Sequence, residues 1–182
     1  MMKNLLIIGQ PRTGKSTLAN MICDRLGWSV VSIDALVASF RNVFPELGLH
    51  LEPEIAEPRL APFVFEYMKQ IASESPNLHF VIEGCHISPE TVAKHIGDTG
   101  YNVVCLGVPT MTPQHFFELV KQNDPATDWA AAKESAEILQ MAECFINRSK
   151  QQQAQCLELN IPFIDTSSNR DEKFVKFING LK

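Results

Sequence analysis

The chain has 182 residues, 45% of them hydrophobic and 20% charged, with a formal net charge of −5. That length suits one domain, spanning 1–182, with a proper core. The acidic balance argues against a general binder of nucleic acid or of acidic membrane surfaces, and no apolar stretch is long enough to span a bilayer.

The first predicted element is the apolar run Asn4–Ile8. It reads as a buried strand, not a signal peptide, because it leads straight into Gly9-Gln-Pro-Arg-Thr-Gly14-Lys15-Ser16-Thr17. That is the Walker A spacing, with a strand before it and a helix after it. The glycines let the backbone curl so that its N–H groups meet phosphate oxygens. Lys15 supplies a point charge, and Ser16 offers a hydroxyl to Mg²⁺. The following helix adds its positive N-terminal end. Gly9, Pro11, Arg12, Thr13, Gly14, Lys15, Ser16 and Thr17 are therefore assigned to a nucleoside triphosphate, with Lys15 catalytic and Ser16 a metal ligand. The helix carries Leu18, Met21, Ile22 and Leu26 on one face and stops at Gly27.

Four more short β-like runs follow: Ser29–Ile33, His79–Glu83, Asn102–Leu106 and Pro162–Asp165. Most are continuously apolar, as strands buried on both faces of a parallel sheet should be. Between them, Leu60, Phe63, Val64, Tyr67, Met68 and Ile71 form a helical stripe. Ser88-Pro89 and Thr112-Pro113 each place a capping residue before a proline at the first helical position. Asn169 with Glu172 reads as a capping arrangement for a last helix whose apolar face is Phe174, Val175, Ile178 and Leu181. Alternating β and α predicts a three-layer α/β/α fold with right-handed crossovers. Residues 34–76, with Pro45, Pro53, Pro58 and Pro62, and residues 109–160 are longer than a crossover needs, and read as binding or lid insertions. The run Lys150–Gln155 reads as a solvated helix face. Cys23, Cys85, Cys105, Cys144 and Cys156 are odd in number with no Cys-x-x-Cys pair, so neither a zinc site nor a disulfide frame is indicated. They read as buried free thiols of a cytoplasmic protein.

With the phosphate loop, the Asp34 that follows the second strand and the acidic Glu83 that ends the third, the chain resembles the P-loop small-molecule kinases, the group of nucleotide, shikimate and gluconate kinases. The resemblance covers nearly the whole chain in architecture and far less of it in motifs. It implies a five-stranded parallel sheet of order 2-3-1-4-5, with 34–76 as the acceptor-binding region and 109–160 as the lid. It also implies ATP and Mg²⁺ as cofactors and a small-molecule acceptor as partner. Phe80-Val-Ile-Glu83-Gly84-Cys-His86 is similar to the strand end of 2-phosphoglycerate and uridine kinases, and lacks the glycine triplet of a shikimate kinase.

Phosphoryl transfer needs positioning, charge neutralisation and an oriented nucleophile. Asp34 stands at the carboxyl edge of the sheet, where it would align or deprotonate the acceptor hydroxyl. The alternative is an N-cap for a helix beginning at Ala35. Glu83 would reach Mg²⁺ through water, or be a surface carboxylate. His86 would face the acceptor, or be an ordinary loop histidine. Arg41 and Arg59 would hold an anionic acceptor, and Arg148 would close over the transferring group; each competes with a surface salt bridge. Arg25 and Arg170 read as surface residues. Thr166 and Ser167 would face the base while Asn169 caps the helix. Trp28 reads as packing, and Trp129, near Asp124 and Asp128, as part of a mobile lid. The function expected is transfer of the γ-phosphoryl group of Mg-ATP to a hydroxyl or phosphate of a small molecule, an amino sugar or antibiotic among the acceptors. The alternative is an ATPase or switch module acting through a protein partner.

Overall fold

The computed structural model describes residues 4–49, 53–123 and 133–181. Five strands, β1 (Asn4–Gly9), β2 (Ser29–Ser32), β3 (Phe80–Gly84), β4 (Tyr101–Gly107) and β5 (Phe163–Asp165), form one parallel sheet in the order β2-β3-β1-β4-β5. This is the topology expected. Among the described residues seven α-helices connect or follow the strands, two of them between β2 and β3 and two between β4 and β5: α1 (Lys15–Leu26), α2 (Ile33–Val43), α3 (Pro53–Glu74), α4 (Pro89–His95), α5 (Pro113–Asn123), α6 (Ser135–Glu158) and α7 (Arg170–Asn179).

The continuous apolar runs are explained by burial on both faces. Leu5 and Ile7 of β1 pack with Leu18 and Ile22 of α1 and with Phe174 and Ile178 of α7. Leu6 and Ile8 point the other way, toward Ile33 and Val37 of α2 and Leu60, Val64 and Met68 of α3. Period-two alternation thus sends neighbouring residues into separate apolar layers. A third cluster joins α5 to α6 through Phe116, Val120, Ile138, Ala142 and Ile146. It is the core of the described part of the 109–160 insertion. Trp129, Asp124 and Asp128 lie outside the described residues.

Several local expectations are corrected. Ile33 does not end β2; it opens α2, and Ser32 caps that helix with its hydroxyl accepting from Ala35 N–H at 3.4 Å. Asp34 is therefore in the first turn and free of capping duty. The helix in the first insertion begins at Pro53, and Pro58 and Pro62 lie inside it. They are four apart on its exposed side, so water can satisfy the carbonyls their missing N–H groups leave open. Phe63, assigned to the buried stripe, is 41% exposed. Asn169 takes a left-handed conformation (φ 50°) and its side chain makes no cap bond. Cys23 and Cys144 are exposed, not buried. Gln152, assigned to a solvated face, is buried against the sheet side of α6. The Ser88 cap and the Thr112 cap form as expected.

Candidate functional site

The loop between β1 and α1 is held open by close backbone packing. A Cβ on Gly9 (φ 139°) would fall 2.0 Å from the Leu106 carbonyl oxygen of β4, so only glycine fits. Thr13 donates its hydroxyl to the Gln10 carbonyl at 2.8 Å, and Lys15 Nζ donates to the same oxygen at 2.9 Å. Lys15 is only 5% exposed, while Ser16 and Thr17 face solvent. Arg12, in a left-handed conformation (φ 65°), lines the mouth. Above the loop lies a cavity of about 330 Å³ whose far wall is Met111 and the α5 residues Phe116 and Val120.

Arg170, read from sequence as a surface residue, is part of that cavity wall. It also lines an adjoining cavity of about 370 Å³ that Thr166, Ser167, Ser168 and Asn169 border. The turn is bolted to the phosphate loop. Thr166 donates to Thr13 O at 2.9 Å and Gly107 O at 3.0 Å, and Asp165 accepts from Ser167 N–H at 2.8 Å and the Thr110 hydroxyl at 3.0 Å. Burial opposes the Asp165 charge, but these bonds and Lys173 hold its carboxyl below the usual range. Thr166 thus props the loop with its side chain, and Ser167 borders the second cavity. Arg170 is the first helical residue after this turn, which is the signal that could have singled it out.

The carboxyl ends of β2 and β3 assemble the second half. Gly84 lets α2 approach: a Cβ there would lie 2.6 Å from Ile33 Cβ and 3.1 Å from Asp34 Oδ1. Asp34 Oδ1 accepts from Cys85 N–H at 3.2 Å and meets His86 Nδ1 at 2.8 Å. His86 is 3% exposed and its Nε2 has no partner. Burial disfavours the charged ring, yet the Asp34 hydrogen bond and Cys85 outweigh it and push its pKa up to about 10. Asp34 is moved the other way. Burial opposes its charge, but the His86 bond and the Lys15 charge hold its carboxyl below the usual range. Glu83 is buried, not a surface carboxylate, and burial raises its pKa, with Asp34 adding to the rise. Lys15 and the Ser32 and Ser16 hydroxyls act against that rise.

Lys15, Ser16, Asp34, Glu83 and His86 are thus brought into one cluster. Arg59 instead donates to the Leu47 carbonyl at 2.7 Å, beside an apolar cavity bordered by Phe40, Leu49 and Phe63. Arg41 is exposed in the last turn of α2. Arg148 sits half-buried on α6 and does not line the cavity above the phosphate loop. The residues fit a divalent ion: Glu83 Oε2 is a buried acceptor with no partner, and Ser16 offers a hydroxyl nearby.

No protein-family model and no curated protein matches the chain by sequence. Solved structures do match its fold. A shikimate kinase from Bacteroides thetaiotaomicron is 15% identical with a TM-score of 0.62, covering 100% of this chain and 97% of that one. A gluconokinase from Sinorhizobium meliloti 1021 is 15% identical with a TM-score of 0.60, over 99% and 91%. A sugar kinase from Janibacter sp. HTCC2649 is 16% identical with a TM-score of 0.56, over 98% and 94%. The chain has the fold of the P-loop small-molecule kinases. Among the described residues no helix is long and apolar enough to cross a membrane.

Proposed function

We propose that this protein is an ATP-dependent phosphotransferase that moves the γ-phosphoryl group of Mg-ATP to a hydroxyl of a small molecule. One observation carries the reading: Glu83 of β3 pairs with Ile7 of β1, the strand that leads into the Lys15 loop, and with Ser32 of β2, which precedes Asp34. The phosphate-side cation and the acceptor-side carboxylate thus share one cluster at the edge of the sheet where ligands of such folds bind.

The backbone N–H groups of residues 9–17 cradle the phosphates, and Lys15 exchanges the Gln10 carbonyl for phosphate oxygen. The cavity between the Asp165–Asn169 turn and α5 takes the base, with Arg170 over it. Ser16 and, through water, Glu83 would hold Mg²⁺, which neutralises charge on the terminal phosphates. A dication there also favours the ionised form of Glu83 against its burial. Asp34 accepts the hydrogen bond of the acceptor hydroxyl and aims its oxygen at the phosphorus. Held below the usual range, Asp34 is a weak base. A loose transition state asks for little deprotonation before the new O–P bond forms, so orientation is its main contribution. The α5 face excludes water, which would otherwise take the phosphoryl group.

The test is ATP turnover with Mg²⁺, alone and with pools of sugars, nucleosides, nucleotides, phosphometabolites and aminoglycosides. Slow basal hydrolysis should rise steeply with one acceptor class, with phosphate recovered on it. Asp34→Ala, which removes the acceptor oxygen, should lower turnover on that acceptor by about 10²-fold or more while leaving nucleotide binding intact. Hydrolysis stimulated only by a protein partner, with no phosphorylated product, refutes the reading.

A further inference from the structure

We propose that Cys85, His86 and Asp34 form a binding site for a soft divalent cation of zinc type, separate from the magnesium position at Ser16 and Glu83. Cys85 Sγ, His86 Nδ1 and an Asp34 carboxylate oxygen all lie within 4.8 Å of one another. Sγ is 3.7 Å from Nδ1 and 3.6 and 3.7 Å from the two carboxylate oxygens. Donor atoms around a tetrahedral zinc ion stand roughly 3.3–3.6 Å apart, given metal–sulfur bonds near 2.3 Å and metal–nitrogen or –oxygen bonds near 2.0 Å. All the sulfur distances already match that spacing to within a few tenths of an ångström. Nδ1 and Oδ1, at 2.8 Å, are joined by a proton and would widen by roughly 0.5 Å when an ion replaces it.

The donor set decides the class of ion. A thiolate and an imidazole favour zinc or cobalt, whereas magnesium keeps oxygen ligands and water. The ligands are held before any ion arrives. Cys85 N–H donates to Asp34 Oδ1, and Gly84 keeps the first turn of α2 against the end of β3. His86 is buried, while Cys85 and Asp34 are partly exposed. The ion therefore has a path in, and its fourth position opens to solvent. Coordination releases the Cys85 Sγ proton and the Nδ1 proton to solvent. It also takes the Asp34 carboxylate away from an incoming hydroxyl, so the bound ion inhibits phosphoryl transfer. Only this last consequence rests on the function proposed above.

The experiment is titration of the full chain with Co²⁺, reduced and without nucleotide. One equivalent should bind with a thiolate-to-cobalt charge-transfer band in the near ultraviolet and the intense visible bands of a tetrahedral site, and zinc should displace it. Cys85→Ser should abolish the charge-transfer band, and His86→Ala should weaken binding by at least about tenfold. A Cys23→Ser/Cys144→Ser double variant, lacking the two exposed thiols, should keep the band. A band that survives Cys85→Ser, or no band in the wild type with excess cobalt, overturns the proposal. X-ray absorption of the zinc-loaded wild type needs no variant to fold: one sulfur in the first shell supports the site, and a shell of nitrogen and oxygen alone overturns it. A cobalt-loaded enzyme with undiminished phosphoryl transfer would refute the role given to Asp34 and leave the cation site standing.

Discussion

The buried His86–Asp34 pair makes stability depend on pH. His86 titrates at about 10 in the folded chain against an ordinary 6.5. Burial works against its charge, and the Asp34 and Cys85 contacts overcome it. A pKa raised by folding stabilises fully below 6.5, and that stabilisation is lost as the pH climbs from 6.5 through 10. At about 1.4 kcal/mol per unit the ceiling is about 5 kcal/mol. Asp34 is 46% exposed, so solvent screens the pair, and the expected contribution is about 1–2 kcal/mol. For a chain of this size that is a shift of about 2–8 °C in Tm. Thermal melts of wild type and His86→Gln across this pH range read it directly. The variant should melt lower at pH 6.5, and the gap should close by about that amount by pH 10. Taking the difference between the two proteins cancels contributions common to both. A gap that stays constant across the range refutes an imidazolium in the folded protein.

Gly84→Ala should cost about 1–3 kcal/mol, because its Cβ would lie 2.6 Å from Ile33 Cβ; a melt lowered by several degrees checks it, with nucleotide affinity by calorimetry expected to hold. Lys15→Ala should weaken ATP binding by at least about tenfold in the same calorimetric assay, since it removes the buried ammonium of the phosphate loop. Arg170→Ala should weaken ATP binding about two- to tenfold, with ADP affected as much as ATP because Arg170 lies in both cavities, on the base side of the site.

The phosphate-loop half was legible because its residues are contiguous. Strand, loop and helix between Asn4 and Leu26 carry their own spacing, and double-sided burial writes the strands as unbroken apolar runs. What failed was local chemistry overridden by tertiary context. Asn169 looks like a cap but supplies only a left-handed turn, because the neighbouring Asp165 and Thr166 side chains already satisfy the turn and tie it to β4 and the phosphate loop. Phe63 fits the helical stripe of α3, yet at its exposed edge it meets Phe40 edge-on and stacks on Tyr67. Pro58 and Pro62 marked the first insertion by their number, and that they sit inside a helix on its exposed side could not be read from the chain. The acceptor half was the least readable. Asp34 and His86 are 52 residues apart, and nothing near either one marks the other as its partner. Only the pairing of Ser32 with Glu83, and of Val31 with Ile82, brings their two strand ends level.

That register also explains why the two halves act as one electrostatic unit. Glu83 sits opposite Ile7 on β1 and Ser32 on β2, so a single residue of β3 lies between the strand that launches the phosphate loop and the strand that launches Asp34. Lys15 and a charged His86 supply two positive charges to the two carboxylates, Asp34 and Glu83. The cluster is therefore close to neutral before any ligand binds, while burial, with Asp34 adding to it, raises the pKa of Glu83. Lys15 lowers the pKa of both carboxylates. Moving its ammonium from the Gln10 carbonyl toward a phosphate changes the field at both of them at once. An acceptor hydroxyl, carrying no charge, can then enter beside Asp34 without adding to the repulsion that the terminal phosphates bring. On the function proposed above, that charge balance favours transfer to a neutral oxygen over transfer to a second anionic phosphate, unless Arg41 or Arg59 turns inward to meet the extra charge.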